Sequence, residues 1–256
     1  MLNNPFISII INCYNSDEFL KKSIDSVYSQ TYKNWEIIFW DNNSSDKSSS
    51  IAKSYDKKLI YFKSNKTTRL YEARNEALKK CKGDFVAFLD CDDMWVESKL
   101  QKQVQLLKKN CNIIYGGYDN VDENDKLISV DLNNLVSGSI TNYLFKRNMI
   151  SIGCVLIKKS VLLEYKFDPY YDLLGDYDLW VRLSLRYKFC VIKEVLEHSR
   201  QHKKNISKSL KHKWLKERRY FYRKYFNFFL LLKYPYLNYY ILRTEILGKF
   251  GKHLSE

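Results

Sequence analysis

The sequence predicts an α/β fold: a mostly parallel, doubly wound sheet flanked by helices and followed by a basic, aromatic-rich helical extension. Three observations predict it. Short apolar, β-branched runs alternate with segments of helical spacing along the first half of the chain. Three of those runs end in polar clusters, NCYNS, DNNSSD and DCDD. The charge is also lopsided: residues 203–256 carry 14 Lys and Arg against Glu217, Glu245 and Glu256, net +11, whereas residues 1–202 are nearly neutral at +3.

The elements follow from local pattern. Residues 6–11 (FISIII) form a short β-branched run, read as a buried parallel strand. Residues 17–30 place Phe19, Leu20, Ile24, Val27 and Tyr28 at helical spacing, with Ser16 or Asp17 as the N-cap. Residues 35–40 (WEIIFW) are a second buried strand, 48–55 a short helix and 59–62 a third strand. A helix over 70–81, with Ala73, Ala77 and Leu78 on one face, ends at Lys82-Gly83. Residues 85–89 (FVAFL) are the fourth strand, 99–109 a helix and 113–115 a strand. Downstream the pattern is weaker. Residues 116–150 read as irregular with a strand near 127–130, then a strand at 152–157, an amphipathic helix at 178–187 and a last strand at 189–192. Right-handed crossovers collect the carboxyl ends of the parallel strands on one edge, where such sheets bind ligands.

Composition excludes several classes. With 256 residues, 45% of them hydrophobic, there is material for a real core, and 40 aromatics argue against disorder. No stretch approaches the ~18 apolar residues of a membrane span, and residues 1–6 lack the features of a signal peptide. A soluble, cytoplasmic protein is expected. None of the six cysteines lies in a C-x-x-C pair, so they read as small apolar residues in a reducing compartment rather than a zinc site or disulfide framework.

The chemistry concentrates where apolar strands end. Asp90, Asp92 and Asp93 follow directly on a run that must be buried. Carboxylates this close repel and raise one another's pKa. A hard cation, Mg2+ or Mn2+, relieves that repulsion and typically binds one or two carboxylates plus the phosphate oxygens of a substrate. Helix N-termini on the same edge offer donors to a diphosphate, and Arg69 and Arg74 lie close enough in sequence to reach it. Neither G-x-x-x-x-G-K-[ST] nor G-x-G-x-x-G occurs, which disfavours a P-loop enzyme and an ordinary NAD dehydrogenase.

These residues resemble a known family. The stretch from Ser8 to Asp46, the Ala73-Arg74-Asn75 segment, Gly83-Asp84, FLDCDD, GDYDLWVRL and SRQHKKNIS, in that order over roughly residues 6–207, are similar to the family 2 glycosyltransferases with the Rossmann-like GT-A fold. The resemblance implies a metal-dependent, inverting transferase that moves a sugar from a nucleotide-sugar, a UDP-sugar, to a hydroxyl of a glycan or lipid-linked acceptor in cell-surface polysaccharide synthesis. It places Tyr14 on the nucleotide base with Asn15 beside it, and Asp41 on the base or ribose side. Asp92 goes to ribose or metal, Asp93 to the metal bridging the diphosphate, and Arg69 and Arg74 near base and phosphates. Asp176 falls at the general base, and Arg200 and His202 near the diphosphate, with His202 counted among the metal ligands. The sequence departs from the family at Asn12, where Pro is common, at Asn42-Asn43, where Asp-Gly is common, and at Gly175, where Glu is usual. Asp172 and Asp178 are rivals for the role of base. With one base and no carboxylate assigned as nucleophile, direct displacement inverts the anomeric carbon.

On this reading residues 1–207 are the catalytic domain, with 1–95 its nucleotide-binding half and 96–207 its acceptor side, and 208–256 are the extension. Between Trp214 and Tyr240, 12 of 27 residues are aromatic and the basic residues fall largely between them. That pattern fits an amphipathic helix on an anionic membrane surface, holding the enzyme peripherally on the inner face of the cytoplasmic membrane. A helix packing its aromatic face on the catalytic domain has the same pattern. Nucleic acid is not an expected partner, for no DNA or RNA module is evident. The alternatives are an inactive sugar-nucleotide-binding partner subunit and a nucleic-acid-binding protein acting through the tail.

Overall fold

The computed structural model describes residues 4–107, 111–132 and 135–225. In chain order these form β1 (Ile7–Cys13), α1 (Asp17–Tyr28), β2 (Trp35–Asp41), α2 (Ser48–Lys53), β3 (Leu59–Lys63), α3 (Leu70–Leu78), β4 (Phe85–Phe88), β5 (Met94–Trp95) and α4 (Lys99–Leu107). There follow β6 (Ile113–Val121), β7 (Leu127–Asp131), α5 (Thr141–Lys146), β8 (Leu156–Lys158), α6 (Lys159–Tyr165), α7 (Gly175–Ser184), β9 (Cys190–Arg200), α8 (Ile206–Ser209) and α9 (Trp214–Lys224).

Nine strands join in one sheet of order β3-β2-β1-β4-β8-β6-β9-β5, with β7 paired to β6. The strands β3, β2, β1 and β4 are parallel, and β9 runs parallel to β6. Strand β8 is antiparallel to both β4 and β6, β5 to β9, and β7 to β6. The sheet is therefore mostly parallel, as the alternation of elements implies. The four parallel strands are packed on both faces because successive side chains alternate. Ile10, Ile38, Val86 and Phe88 enter one core, against α3, α5, α7 and α9. Ile7, Ile9, Ile11, Ile37, Phe39 and Ala87 enter the other, with α1 and the Trp95–Leu100 segment.

The downstream half differs from expectation in two ways. Strand β9 runs on from the expected 189–192 to Arg200, and β6 from 113–115 to Val121, because these strands face water along part of one side and so read as mixed rather than apolar. The run at 152–157 splits into a single 3₁₀ turn, Ile152–Cys154, and the short antiparallel β8.

The cysteine expectation also needs correction. Cys111 and Cys190 are joined in a disulfide, their Cα atoms 6.1 Å apart, while Cys13, Cys81, Cys91 and Cys154 are buried thiols. The cause is topological. The parallel pairing of β6 with β9 sets Ile114 opposite Cys190 and so gathers two cysteines 79 residues apart. No helix among the described residues is long and apolar enough to cross a membrane.

Candidate active site

The order β2-β1-β4 places the carboxyl ends of three parallel strands side by side, and each end opens into one of the polar clusters. The first two are laced together. Asn15, in the left-handed region at φ 49°, accepts the Ser45 N–H on its Oδ1 at 2.9 Å, while its own N–H donates to Ser44 Oγ at 3.1 Å. Asp41 is fully buried; one oxygen accepts the Ser44 N–H at 2.7 Å and the other the Tyr61 hydroxyl at 2.5 Å. Burial and then that carboxylate push the Tyr61 phenol up to about 12. Asp41 thus shapes the loop rather than presenting a free carboxylate. Asn42 extends the lacing to the loop before α3, exchanging bonds of 2.8 and 3.1 Å with the Thr68 backbone. Tyr14 is 51% exposed at the tip of β1, its ring open to a ligand.

The third cluster divides its carboxylates. Asp90 receives Arg74 Nη2 at 2.5 Å. Arg74 is buried, with its guanidinium carbon 5.3 Å from the Tyr71 ring centre. Asp92 is partly exposed and meets His202 Nε2 at 2.8 Å. His202 Nδ1 accepts the Lys204 N–H at 3.3 Å, which puts the imidazole proton on Nε2, facing Asp92. Asp93 turns the other way. It is buried, and its Oδ1 accepts the Arg200 N–H at 2.7 Å. Burial, followed by the charges of Asp92, Glu197 and Asp90, pushes the Asp93 carboxyl well above the usual range. Burial and Asp90 also raise Asp92, while His202 pulls it back.

Arg200 departs from the expectation of a diphosphate ligand. It is fully buried, and its guanidinium is spent on protein: Nε on Asp92 O at 2.9 Å, Nη1 on Asp122 O at 3.0 Å and on Asp125 Oδ1 at 2.5 Å. It clamps the end of β9 to the acidic loop and to the turn between β6 and β7. Arg69 sits at the start of α3, half-exposed, and holds the loop before α7 through a 2.7 Å bond to Tyr170 O.

The rivals for the base separate cleanly. Asp178 is fully buried and bound to Arg182 Nε at 2.7 Å, Lys224 Nζ at 2.9 Å and the Tyr225 hydroxyl at 3.0 Å. Asp172 is paired with Lys213 at 2.9 Å and faces Arg69 at 3.7 Å. Asp176, in the first turn of α7, has no such cation in contact. Its Oδ1 accepts the Tyr177 N–H at 2.7 Å and the Tyr71 hydroxyl at 3.2 Å. Burial raises its pKa, and Arg74, the Tyr177 N–H and the Tyr71 hydroxyl moderate the rise. Raised proton affinity on a carboxylate beside an Arg-tethered acidic loop suits a proton acceptor. Gly175 also finds its reason: a Cβ there would lie 2.5 Å from the Tyr71 ring, so the ring fills the room a larger side chain would need.

Four residues of this site escaped the sequence reading. Asp90 stood in the acidic cluster without an assigned partner, because nothing local tells which of three aspartates meets Arg74. Tyr71, Glu197 and Glu217 gave no signal, since their roles arise from contacts 43 to 105 residues away in sequence.

The family profile described as Glycosyl transferase family 2 matches residues 8–164. An uncharacterized glycosyltransferase of Methanocaldococcus jannaschii is 30% identical over 204 residues, covering 76% of this chain and 70% of the relative. The Escherichia coli UDP-Glc:alpha-D-GlcNAc-diphosphoundecaprenol beta-1,3-glucosyltransferase WfgD is 33% identical over 186 residues, 71% of each chain. Among solved structures, S. aureus TarS 1–349 in complex with UDP-GlcNAc superposes with a TM-score of 0.72 at 17% identity, covering 87% of this chain and 67% of that one, a likeness of fold. A sheet of this order, an acidic loop at its carboxyl edge and a profile match over more than half the sequence lead to one conclusion: the chain belongs to glycosyl transferase family 2.

Proposed function

We propose that this glycosyltransferase moves a sugar from a UDP-sugar to a hydroxyl of a lipid-linked glycan, with inversion at the anomeric carbon and Asp176 as the general base. The observation that carries the reading is the juxtaposition of two carboxylate groups of opposite task. Arg74 ties Asp90 of the acidic loop to the neighbourhood of Tyr71 and Asp176. A leaving diphosphate and an attacking hydroxyl need such groups within one cleft. The donor class follows WfgD, named for UDP-Glc, and TarS, crystallised with UDP-GlcNAc. The acceptor class follows the diphosphoundecaprenol in the WfgD name.

Each side chain has a task. Tyr14 stacks on the base, and Asn15, Asp41 and Asn42 hold the loops that flank it. Arg69 stands at the mouth of the cleft. Arg74, positive despite burial, offsets the charge that arrives with the diphosphate. Asp176 takes the proton of the acceptor hydroxyl as the new bond forms.

Asp92 and His202 fit a divalent cation. Their Oδ2 and Nε2 atoms, 2.8 Å apart, are bridged by the Nε2 proton, which a bound cation would replace, and carboxylate with imidazole suits Mn2+ better than Mg2+. A cation held by these two side chains would be completed by substrate phosphate oxygens. Such a cation, when bound, neutralises charge on the departing diphosphate. Asp93, turned inward onto Arg200, supports the loop instead of ligating.

The exposed side of residues 206–216 carries Ile206, Trp214 at 41% exposure, Lys208, Lys211 and Lys216. We assign it to an anionic membrane surface, which brings the enzyme to a lipid-linked acceptor on the cytoplasmic face.

The test is turnover of UDP-sugars with Mn2+ and a polyprenyl-diphosphate-linked acceptor. Asp176→Asn should lower kcat by about 10²–10⁴-fold with UDP affinity retained, and Asp92→Asn should raise the Mn2+ concentration needed for half-maximal rate. Full turnover by Asp176→Asn would sink the assignment of the base.

A further inference from the structure

We propose that Glu217, in α9, is a positioning residue for the general base: it fixes the backbone that leads into α7 and thereby sets the reach of Asp176. The proposal rests on the reading of Asp176 as the base.

Glu217 is 3% exposed. Its Oε1 accepts the Asp172 N–H at 2.8 Å, and its Oε2 accepts the N–H groups of Leu173 and Leu174, each at 3.0 Å. Three successive backbone donors therefore converge on one carboxylate, a small anion nest. A carboxyl group is costly to bury unless its oxygens are bonded, and here both are. Helix α7 starts at the next residue, Gly175, and the residue at its N-cap, Leu174, offers no side-chain cap. The helix is instead capped from a distance, by a negative group before its positive end. The cap comes from an element 43 residues downstream of Leu174, inside what composition alone marks as a basic tail.

The link to Asp176 runs through one carbonyl. Leu173 gives its N–H to Glu217, and its C=O faces the Tyr71 hydroxyl at 3.1 Å. That hydroxyl lies at 3.2 Å from Asp176 Oδ1, so its single proton is shared between Leu173 and the base. Displacing Leu173 thus shifts the hydrogen bond that moderates the Asp176 carboxyl, and also the start of the helix that carries it. The rest of α9 grips the same region. Lys213 pairs with Asp172, Tyr220 stacks on Tyr170 at 3.9 Å, and Phe221 stacks on Tyr177, the neighbour of Asp176, at 4.6 Å. None of these side chains touches Asp176 itself, whose partners are Tyr71 and Tyr177. Glu217 therefore acts through backbone position.

The experiment uses the full chain with UDP-sugar, Mn2+ and acceptor, and compares Glu217→Ala and Glu217→Gln with the parent. For each it measures kcat against pH, the donor KM, UDP affinity and Tm. A displacement of the base by about 1 Å costs about 10²-fold in rate. Glu217→Ala should lower kcat by about that factor, shift the acidic limb of the kcat profile, and leave donor KM and UDP affinity unchanged. Glu217→Gln, which keeps one oxygen to accept from Leu173 and Leu174, should recover part of kcat. In an Asp176→Asn background, Glu217→Ala should add no further loss, because a positioning residue has nothing left to position. Unchanged kcat, a parallel loss of UDP affinity, or an additive loss on top of Asp176→Asn overturns the proposal and leaves Asp176 as base intact. Full activity of Asp176→Asn overturns both. If Glu217→Ala does not fold, the same measurements on Glu217→Gln decide, with kcat down and UDP affinity kept as the supporting result.

Discussion

As the proposed base, Asp176 carries opposite costs for stability and for catalysis, and both titrate. Burial raises its pKa above that of an unfolded Asp, so its ionised form is disfavoured in the native state. Below the unfolded pKa the group is neutral in both states and contributes nothing. As pH rises through the native pKa the fold must carry a charge it disfavours, and stability falls. Asp176→Asn should therefore raise Tm near neutral pH and leave it unchanged near pH 4, which thermal scans at the two pH values would check. In its proposed role as base Asp176 acts in that same ionised form, so kcat should rise with pH along a limb set by Asp176. The Tyr71 hydroxyl stabilises the carboxylate and lowers this pKa. Tyr71→Phe should move the limb to higher pH and reduce kcat most at the acid end; a limb that stays put or moves down would show that the hydroxyl does not tune the base. Asp92, His202 and Asp176 could be named as candidates from the sequence because each sits in a recognisable run. The inward turn of Asp93 and the burial of Arg200 were not. Which side of a loop faces the core is decided by partners such as the Arg200 N–H, Asp122 and Asp125, and no local pattern announces them.

At the scale of elements, the acidic loop is delivered by β4, and β4 depends on a close approach at its start. A Cβ on Gly83 would lie 2.5 Å from the Ser8 nitrogen and 2.8 Å from the Phe6 oxygen, both backbone atoms of the neighbouring chain that leads into β1. The Gly83 N–H also donates to Ser8 Oγ at 2.8 Å, and Ser8 Oγ in turn donates to Glu36 Oε1 at 2.7 Å. Backbone cannot swing aside as a flexible side chain can. Gly83→Ala should destabilise the chain by about 1–3 kcal/mol, the usual cost of overpacking, measured as a lower denaturant midpoint. An unchanged midpoint would mean that β1 and β4 are not held this close in solution. The same physics explains what the sequence yields at this scale. The parallel strands β1, β2 and β4 are legible because both faces are buried and their runs are dominated by apolar residues. Strand β9 is not legible past Ile192, because Lys193 and Glu194 are exposed on a strand that elsewhere buries Leu196, Glu197 and Arg200. Helix α5 is six residues long, too short for periodicity to register.

For the molecule as a whole, the question is where the catalytic unit ends. Composition divides the chain near residue 207, at the onset of positive charge. Packing does not follow that division. Within the described part of the extension, Phe221, Tyr222 and Tyr225 are buried in the core that also holds Tyr177, Phe145 and Trp180. Phe221 and Tyr225 are in ring contact with Tyr177 and Phe145. The aromatic face expected on a membrane thus packs on the catalytic domain as far as Tyr225, and the remainder of the extension, 226–256, lies outside the described residues. The polar contacts agree. Lys224 and Tyr225 complete the shell of the buried Asp178 carboxylate, and Glu217 takes the three N–H groups before α7. Cutting the chain after residue 207 would expose apolar surface around Tyr177 and leave Asp178, among the described residues, with Arg182 but without Lys224. Burying one large apolar side chain is worth roughly 1.5–3 kcal/mol, so three of them approach the roughly 5–15 kcal/mol that holds an entire domain together. A 1–207 truncation should therefore melt far below the full chain, bind a hydrophobic dye and show no transfer activity. A soluble 1–207 fragment that melts cooperatively near the temperature of the full chain would show that α9 is an appendage. The positive charge would then serve a partner alone, and not the site.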